Sequence, residues 1–213
     1  MRRTADARLG AGAAVLLLAV AACGSPQAVP EKSSPSAPSP TPSTASASAT
    51  PSPTTSWVAL HDRAAGVRFS LPHHVDPQSR PAQDPRVQAR LYQDTVGDIG
   101  LSVSVVQGGA PISAASPRSV YAQMASALSQ QGATNTHLSR VRKSTVAKGQ
   151  ALDATLTFTA TDGSHNYWRM RTITAGRTLV QVQVLTFSDP GDAEAPRRVD
   201  AMFRRLAGSV TLE

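Results

Sequence analysis

Cysteine is almost missing from this chain, since only one of its 213 residues is Cys. One thiol can form no intrachain disulfide and no zinc site built from thiolates alone. Aromatic residues make up only 4% of the chain, which argues against a large base-stacking platform for single-stranded nucleic acid. The length suits one folded domain or at most two.

Recognisable catalytic motifs are also missing. The sequence has no G-x-S-x-G nucleophile elbow, no H-E-x-x-H zinc helix, no G-x-x-x-x-G-K-[ST] phosphate loop and no EF-hand loop. Serine is abundant, but no spacing marks one as a nucleophile. We therefore predict a protein that is not an enzyme and needs no cofactor.

Long hydrophobic runs are scarce, and the uncharged run at the N-terminus, residues 9–22, has 14 residues. It follows Arg2, Arg3 and Arg8, so the segment has the layout of a secretory signal peptide. It is too short to cross a bilayer comfortably, because a spanning helix needs ~20 apolar residues. We predict a signal peptide over residues 1–22. General secretion is the expected route, since the apolar residues usual after a twin-arginine pair are missing.

The only cysteine stands directly after this segment, in the order Val20, Ala21, Ala22, Cys23. This order resembles a bacterial lipobox, an aliphatic residue and two small ones before a cysteine. The resemblance implies cleavage before Cys23 and a diacylglyceryl thioether, with acyl chains such as palmitate, on its sulfur. Two acyl chains would hold the protein stably at the extracytoplasmic face of the cell membrane. The alternative is an ordinary buried cysteine in an apolar segment.

A linker of low complexity follows, with residues 23–56 comprising Cys23 and a polar tract. Ser, Pro, Thr and Ala account for 28 of the 33 residues in 24–56. Such a composition buries too little apolar surface to offset the entropy of ordering the chain. We predict a disordered tether; an O-glycosylated stalk is the alternative, because its composition is the same.

Residues 57–213 contain every aromatic and histidine residue of the chain and make one predicted domain. Alternating patterns predict strands at 67–71, 101–105, 152–161 and 166–174, and 178–187 reads as a central strand. Asp162-Gly163 predicts a hairpin turn and Gly176 a second turn, which makes the last three strands an antiparallel meander.

Two segments have helical spacing. Ser116-Pro117 predicts a helix start and Gly132 its stop. A second helix is predicted near 192–207, capped by Asp189 or Asp192 and ended by Gly208. Val210 and Leu212 predict a short final strand.

These elements predict an α+β fold, an antiparallel sheet flanked by helices. The opening G-V-R-F-S-L-P (66–72), the meander and the closing helix with G-S-V-T-L resemble the PsbP-like fold. That fold occurs in a photosystem subunit, a nuclear Ran-binding protein and actinobacterial LpqN-type lipoproteins. The last resemble this chain best, since they also have a lipobox and a Ser/Pro/Thr spacer. The resemblance implies protein binding or a part in envelope lipid transport.

Three groups of residues are candidates for a site. Arg169, Arg171 and Arg177 could form a basic patch for anionic lipid head groups or an acidic partner, or a merely solvated face. His73, His74 and Asp76 could hold a divalent metal, although a solvated loop is the expectation and we predict no metal. Asp153, Asp162 and His165 could pair for acid–base chemistry, against a reading as turn and exposed strand residues.

The sequence as a whole predicts a membrane-anchored, non-enzymatic envelope lipoprotein whose domain binds an envelope protein. The alternative is a carrier or sensor of a small apolar, lipid-like ligand in envelope transport. Nucleic acid is not expected as a partner, because export would place the chain away from it.

Overall fold

The computed structural model describes residues 56–82, 84–112, 116–189 and 191–213. The signal peptide, Cys23 and nearly all of the predicted linker lie outside the described residues. The described residues form eleven strands and two helices. They are β1 Val58–Asp62, β2 Val67–Leu71, β3 Gln78–Arg80, β4 Gln88–Val96, β5 Ile99–Gln107, α1 Ser116–Gln130, β6 Thr134–Leu138, β7 Arg142–Val146, β8 Gly149–Thr159, β9 His165–Ala175, β10 Thr178–Ser188, α2 Ala195–Ser209 and β11 Thr211–Leu212.

A large antiparallel sheet forms the centre, in the order β3-β4-β5-β10-β9-β8-β6, with β7 also paired to β8. The meander β8–β9–β10 confirms the prediction. Gly163 and Gly176 have φ of 85° and 56°, so both predicted turns use the left-handed backbone that glycine tolerates. The α+β class with helices on an antiparallel sheet is likewise confirmed.

One face of this sheet packs against α2 and a small sheet of order β1-β2-β11. Alternate residues Val67, Phe69 and Leu71 of β2 are buried there, facing the valines of β5 and β10. Phe203 of α2 joins the same core. Because the side chains of a strand alternate between faces, this packing turns the even residues of β10, such as Val182, toward α2.

The other face is covered in part by α1. Tyr121, Met124 and Leu128 pack there with Leu156 and Trp168. The Tyr121 hydroxyl donates to the Leu152 carbonyl at 3.0 Å, and its burial raises the pKa of this phenol. The helix ends at Gln130, and Gly132 follows with φ 91°, which confirms the predicted stop.

The second helix differs from its prediction at both ends. It begins at Ala195, where Asp192 Oδ1 accepts hydrogen bonds from the N–H groups of Glu194 and Ala195. The expectation that Gly208 ends it is wrong, since the helix continues to Ser209. Ser209 Oγ donates to the Leu206 carbonyl and accepts from Ser70 N–H, which fixes the last turn against β2.

Within the described ranges, no helix combines the length and apolar character needed to cross a membrane.

Candidate anionic-partner surface

Two of the three arginines in the predicted patch lie under α2. Arg171 donates two hydrogen bonds to the Asp153 carboxylate, from Nε at 2.7 Å and from Nη2 at 3.1 Å. Arg169 Nε lies 3.5 Å from Asp200 Oδ1. Their guanidinium carbons lie 5.8 Å and 5.0 Å from the centre of the Phe203 ring. Both charges are therefore balanced inside the domain and held by aromatic packing.

Arg177 lies apart from these two. It occupies the turn between β9 and β10 and is exposed. The four residues from Arg171 to the end of β9 alone span ~13 Å at ~3.3 Å per residue. The structure thus brings Arg169 and Arg171 together but not Arg177. That any of them contacts an anionic partner stays a prediction.

The arginines of α2 are also mostly engaged. Arg198 Nη2 bridges Asp98 at 2.6 Å and Asp192 at 2.9 Å. The hydrogen bond from Arg198 holds the pKa of Asp192 below its ordinary value. Burial raises the pKa of Asp98, but hydrogen bonds from Thr186 and Arg198 outweigh it, and that pKa is lowered as well. Arg205 stacks on Trp57, 4.6 Å from its ring centre.

Within the part of the chain that the structure describes, a group of exposed cations without carboxylate partners lies on one edge of the large sheet. We call this surface the cationic edge and define it by Arg140, Arg142, Lys143 and Lys148, all of which are exposed. Among the described residues, no carboxylate forms an ion pair with any of the four. Arg142 does stand opposite Asp153 in β8, but Arg171 and Ser144 already bind that carboxylate.

Sequence reasoning missed this surface, although a sequence signal was present. Residues 99–152 contain no Asp or Glu, while five Lys and Arg residues fall in the same 54 positions. Four of those five form the cationic edge, and the fifth is Arg118. A charge count by segment, rather than over the whole domain, would have located it.

Two neighbouring turns extend the positive charge around one end of the sheet. Lys148 lies in the β7–β8 turn, and the pairing of Gln150 with Thr174 places that turn beside the β9–β10 turn, which contains Arg177. Gly149 makes this approach possible, because an added Cβ would lie 2.5 Å from the Thr174 carbonyl oxygen. Arg177 of the predicted patch therefore lies at the same end of the sheet as Lys148.

The described residues also form a pocket of about 290 Å³ near the start of α2. Its lining includes polar residues such as Asn135, Thr157, His165 and Asp189, but most of the exposed lining surface is apolar. At about 290 Å³ the pocket lies at the small end of the range of ligand sites, so its size suits a small molecule better than an acyl chain.

The candidate metal cluster of His73, His74 and Asp76 does not assemble. Instead, His73 contacts Asp94 twice. Its ring Nδ1 lies 2.9 Å from one carboxylate oxygen, and its backbone N–H donates to the other oxygen at 2.8 Å. His74 and Asp76 remain exposed. In the described parts of the chain, no three His, Cys, Asp or Glu side chains are grouped as metal ligands would be.

The candidate acid–base residues Asp153, Asp162 and His165 are likewise separated. Asp153 is bound to Arg171, whereas Asp162 accepts hydrogen bonds from the Ser164 N–H and hydroxyl within the β8–β9 turn. The hydroxyl bond from Ser164 lowers the pKa of Asp162. His165 pairs with Thr159 across the hairpin, six positions along β8 from Asp153. Asp153 and Asp162 therefore act in structural contacts.

Comparison with known proteins identifies the fold. No family model matches the chain, and no curated protein does. The solution structure of cyanobacterial PsbP (CyanoP) from Synechocystis sp. PCC 6803 is 16% identical, with a TM-score of 0.53, over 75% of this chain and 94% of that chain. The Saccharomyces cerevisiae Ran-binding protein Mog1p is 9% identical, with a TM-score of 0.46, over 75% of this chain and 96% of that chain.

The likeness to PsbP defines the class by fold alone. The chain has a PsbP-like domain, as its sequence pattern predicted. At such low identity the likeness to PsbP transfers no partner or activity, and the more distant likeness to Mog1p supports no inference about function.

Proposed function

We propose that this chain is a non-enzymatic envelope lipoprotein of the actinobacterial LpqN type, whose PsbP-like domain binds a protein partner. Cys23 would be lipidated after cleavage behind Val20, Ala21 and Ala22. The anchored domain would stand on the extracytoplasmic face of the cell membrane, at the end of the linker.

The observation that supports protein binding is the cationic edge. The described residues supply no carboxylate partner for its four exposed cations, and an acidic partner can neutralise them. The pocket near the start of α2 is small, at about 290 Å³, and so lends little support to a carrier of an acyl-chain ligand. The three candidate residues Asp153, Asp162 and His165 do not form a nucleophile–base arrangement, so the geometry supports binding better than catalysis.

The anchor is tested by Cys23→Ser. Its thiolate is the group that would take the lipid, so the variant should remain an uncleaved precursor or leave the membrane fraction. The measurement is detergent phase partitioning together with intact mass. If the variant partitions like the parent and lacks its signal peptide, lipidation of Cys23 is wrong.

Protein binding is tested by photo-crosslinking in the native envelope. A photoreactive residue at Thr145, within β7, should give a discrete light-dependent adduct with one protein. The same residue at Thr95, an exposed position on β4 near the opposite side of the sheet, is the control. Adducts to lipid alone, or identical adducts from both positions, would contradict a protein-binding edge.

A further inference from the structure

We infer that the cationic edge is a docking site for an acidic, extended segment of a partner protein, which pairs with β7 as an additional strand. This inference rests on the proposed function and specifies the chemistry of its partner.

Among the strands that the structure describes, none pairs with the outer side of the β7 backbone. Its register with β8 runs without interruption from Arg142↔Asp153 to Val146↔Gly149. Among the described residues, β7 pairs with β8 and with no other strand. A strand directs hydrogen-bonding groups to both sides, so the outer side of β7 presents N–H and C=O groups to a partner.

A β-bulge limits how far such a strand could extend. The register of β6 with β8 shifts between Thr134 and His137, and Asn135 has a positive φ of 51°. A bulge twists an edge and interrupts straight pairing. The docking segment should therefore cover β7 and the residues just before it, and should stop short of Asn135.

The arrangement of charge indicates the partner's composition. Arg142 and Lys143 are neighbours on one strand, so they project from opposite faces of the sheet. Their cross-strand partners are Asp153 and Leu152. These two are also consecutive residues of one strand and therefore also lie on opposite faces. A paired strand would meet both cations when it carries two consecutive carboxylates, one for each face.

Two other occupants fit less well. A second copy of this chain would bring cations against cations, and like charges directly opposite each other destabilise a strand pair. A membrane surface contacts one side of a protein, whereas these cations emerge from both faces of the sheet. An acidic strand is the occupant that uses both faces and the open backbone.

The test uses the full chain and a labelled peptide, acetyl-Thr-Val-Glu-Glu-Val-Glu-Thr-amide, in fluorescence anisotropy at low salt. We expect saturable binding that weakens as salt is added. A Gln version should bind at least about tenfold more weakly, because it lacks the charge pairs. A version N-methylated at alternate residues should also lose binding, because strand addition needs its N–H groups.

Charge-reversal variants locate the site. R142E/K143E should weaken binding of the Glu peptide about tenfold or more. The matched control R63E/R204E reverses two exposed arginines of the β1–β2 turn and α2 and should leave binding almost unchanged. Hydrogen exchange with bound peptide should show new protection in residues 140–146 and none in 134–137.

Three results would overturn the inference. The first is absence of peptide binding, which would mean that the cations only keep the edge from aggregating. The second is equal binding of the N-methylated peptide, which would mean contact by charge alone. The third is binding to phosphatidylglycerol vesicles but not to the peptide, lost in R142E/K143E, which would make the edge a lipid surface. A protein adduct at Thr145 without peptide binding would refute the acidic strand and leave the proposed function standing.

Discussion

Two groups of cations, on the strands β9 and β7 that flank β8, have opposite surroundings. Arg169 and Arg171 of β9 are mostly buried under α2, with side-chain exposures of 30% and 24%. Each has a carboxylate partner, and both lie over Phe203. Arg142 and Lys143 of β7 are exposed and lack such partners among the described residues.

The difference shows that the number of positive charges on a strand says little about its role. An arginine that has lost much of its water needs its carboxylate, since the desolvation cost is offset only by the partner. An exposed cation without a partner keeps its water and contributes little to folding. The first group is therefore expected to matter for stability and the second for binding.

The largest effect should come from breaking a pair under α2. Arg171→Ala leaves Asp153 mostly buried with only Ser144 as a side-chain partner, and should lower the free energy of unfolding by about 2 kcal/mol. Urea denaturation of the full chain measures it. Arg142→Ala, the matched change on the cationic edge, should alter stability by less than about 0.5 kcal/mol. Equal losses in the two variants would remove the distinction between the two groups.

The next largest effect on stability should come from replacing one of two glycines by alanine. Gly149→Ala places a Cβ 2.5 Å from a backbone oxygen of β9, so the β7–β8 turn must shift, at about 1 to 2 kcal/mol. Gly208→Ala is the control, because nothing lies within 4 Å of its added Cβ and it is helical. It should stabilise the domain by about 0.5 to 1 kcal/mol. If Gly149→Ala leaves the free energy of unfolding unchanged, the turn that contains Lys148 is not held against β9.

The smallest effect should be a loss of stability at acidic pH. Asp98 and Asp192 have lowered pKa values in the folded domain. Their contribution is therefore fully present above the unfolded pKa of about 3.9 and disappears as pH falls through the lower folded pKa. Urea midpoints measured between pH 6 and pH 3 should decline at the acid end, and Arg198→Met should flatten that decline. R142E/K143E adds two carboxylates without partners and should not flatten it.

Much of the sheet could be predicted because its strands are buried on at least one face. Residues 152–158 alternate apolar and polar side chains, and β8 buries Leu152, Ala154, Leu156 and Phe158 as that pattern predicted. The sequence pattern did not predict β6 and β7, because they are edge strands. Thr-Asn-Thr-His-Leu and Arg-Lys-Ser-Thr-Val contain few apolar residues, and an edge has less surface to bury.

The sequence by itself determined which side of β9 its arginines occupy, because alternation is a property of neighbouring residues. It also carries the signal-like N-terminus and the Val20–Cys23 motif, whose role stays a prediction. Only the tertiary structure decided which arginines are neutralised. Arg171 pairs with Asp153, which lies 18 positions earlier in the chain. Arg169 pairs with Asp200 of α2. The first pair depends on the register of the β8–β9 hairpin and the second on how α2 packs on the sheet. Alternation along one strand fixes neither of them, and the same arrangement leaves the β7 cations exposed at the edge.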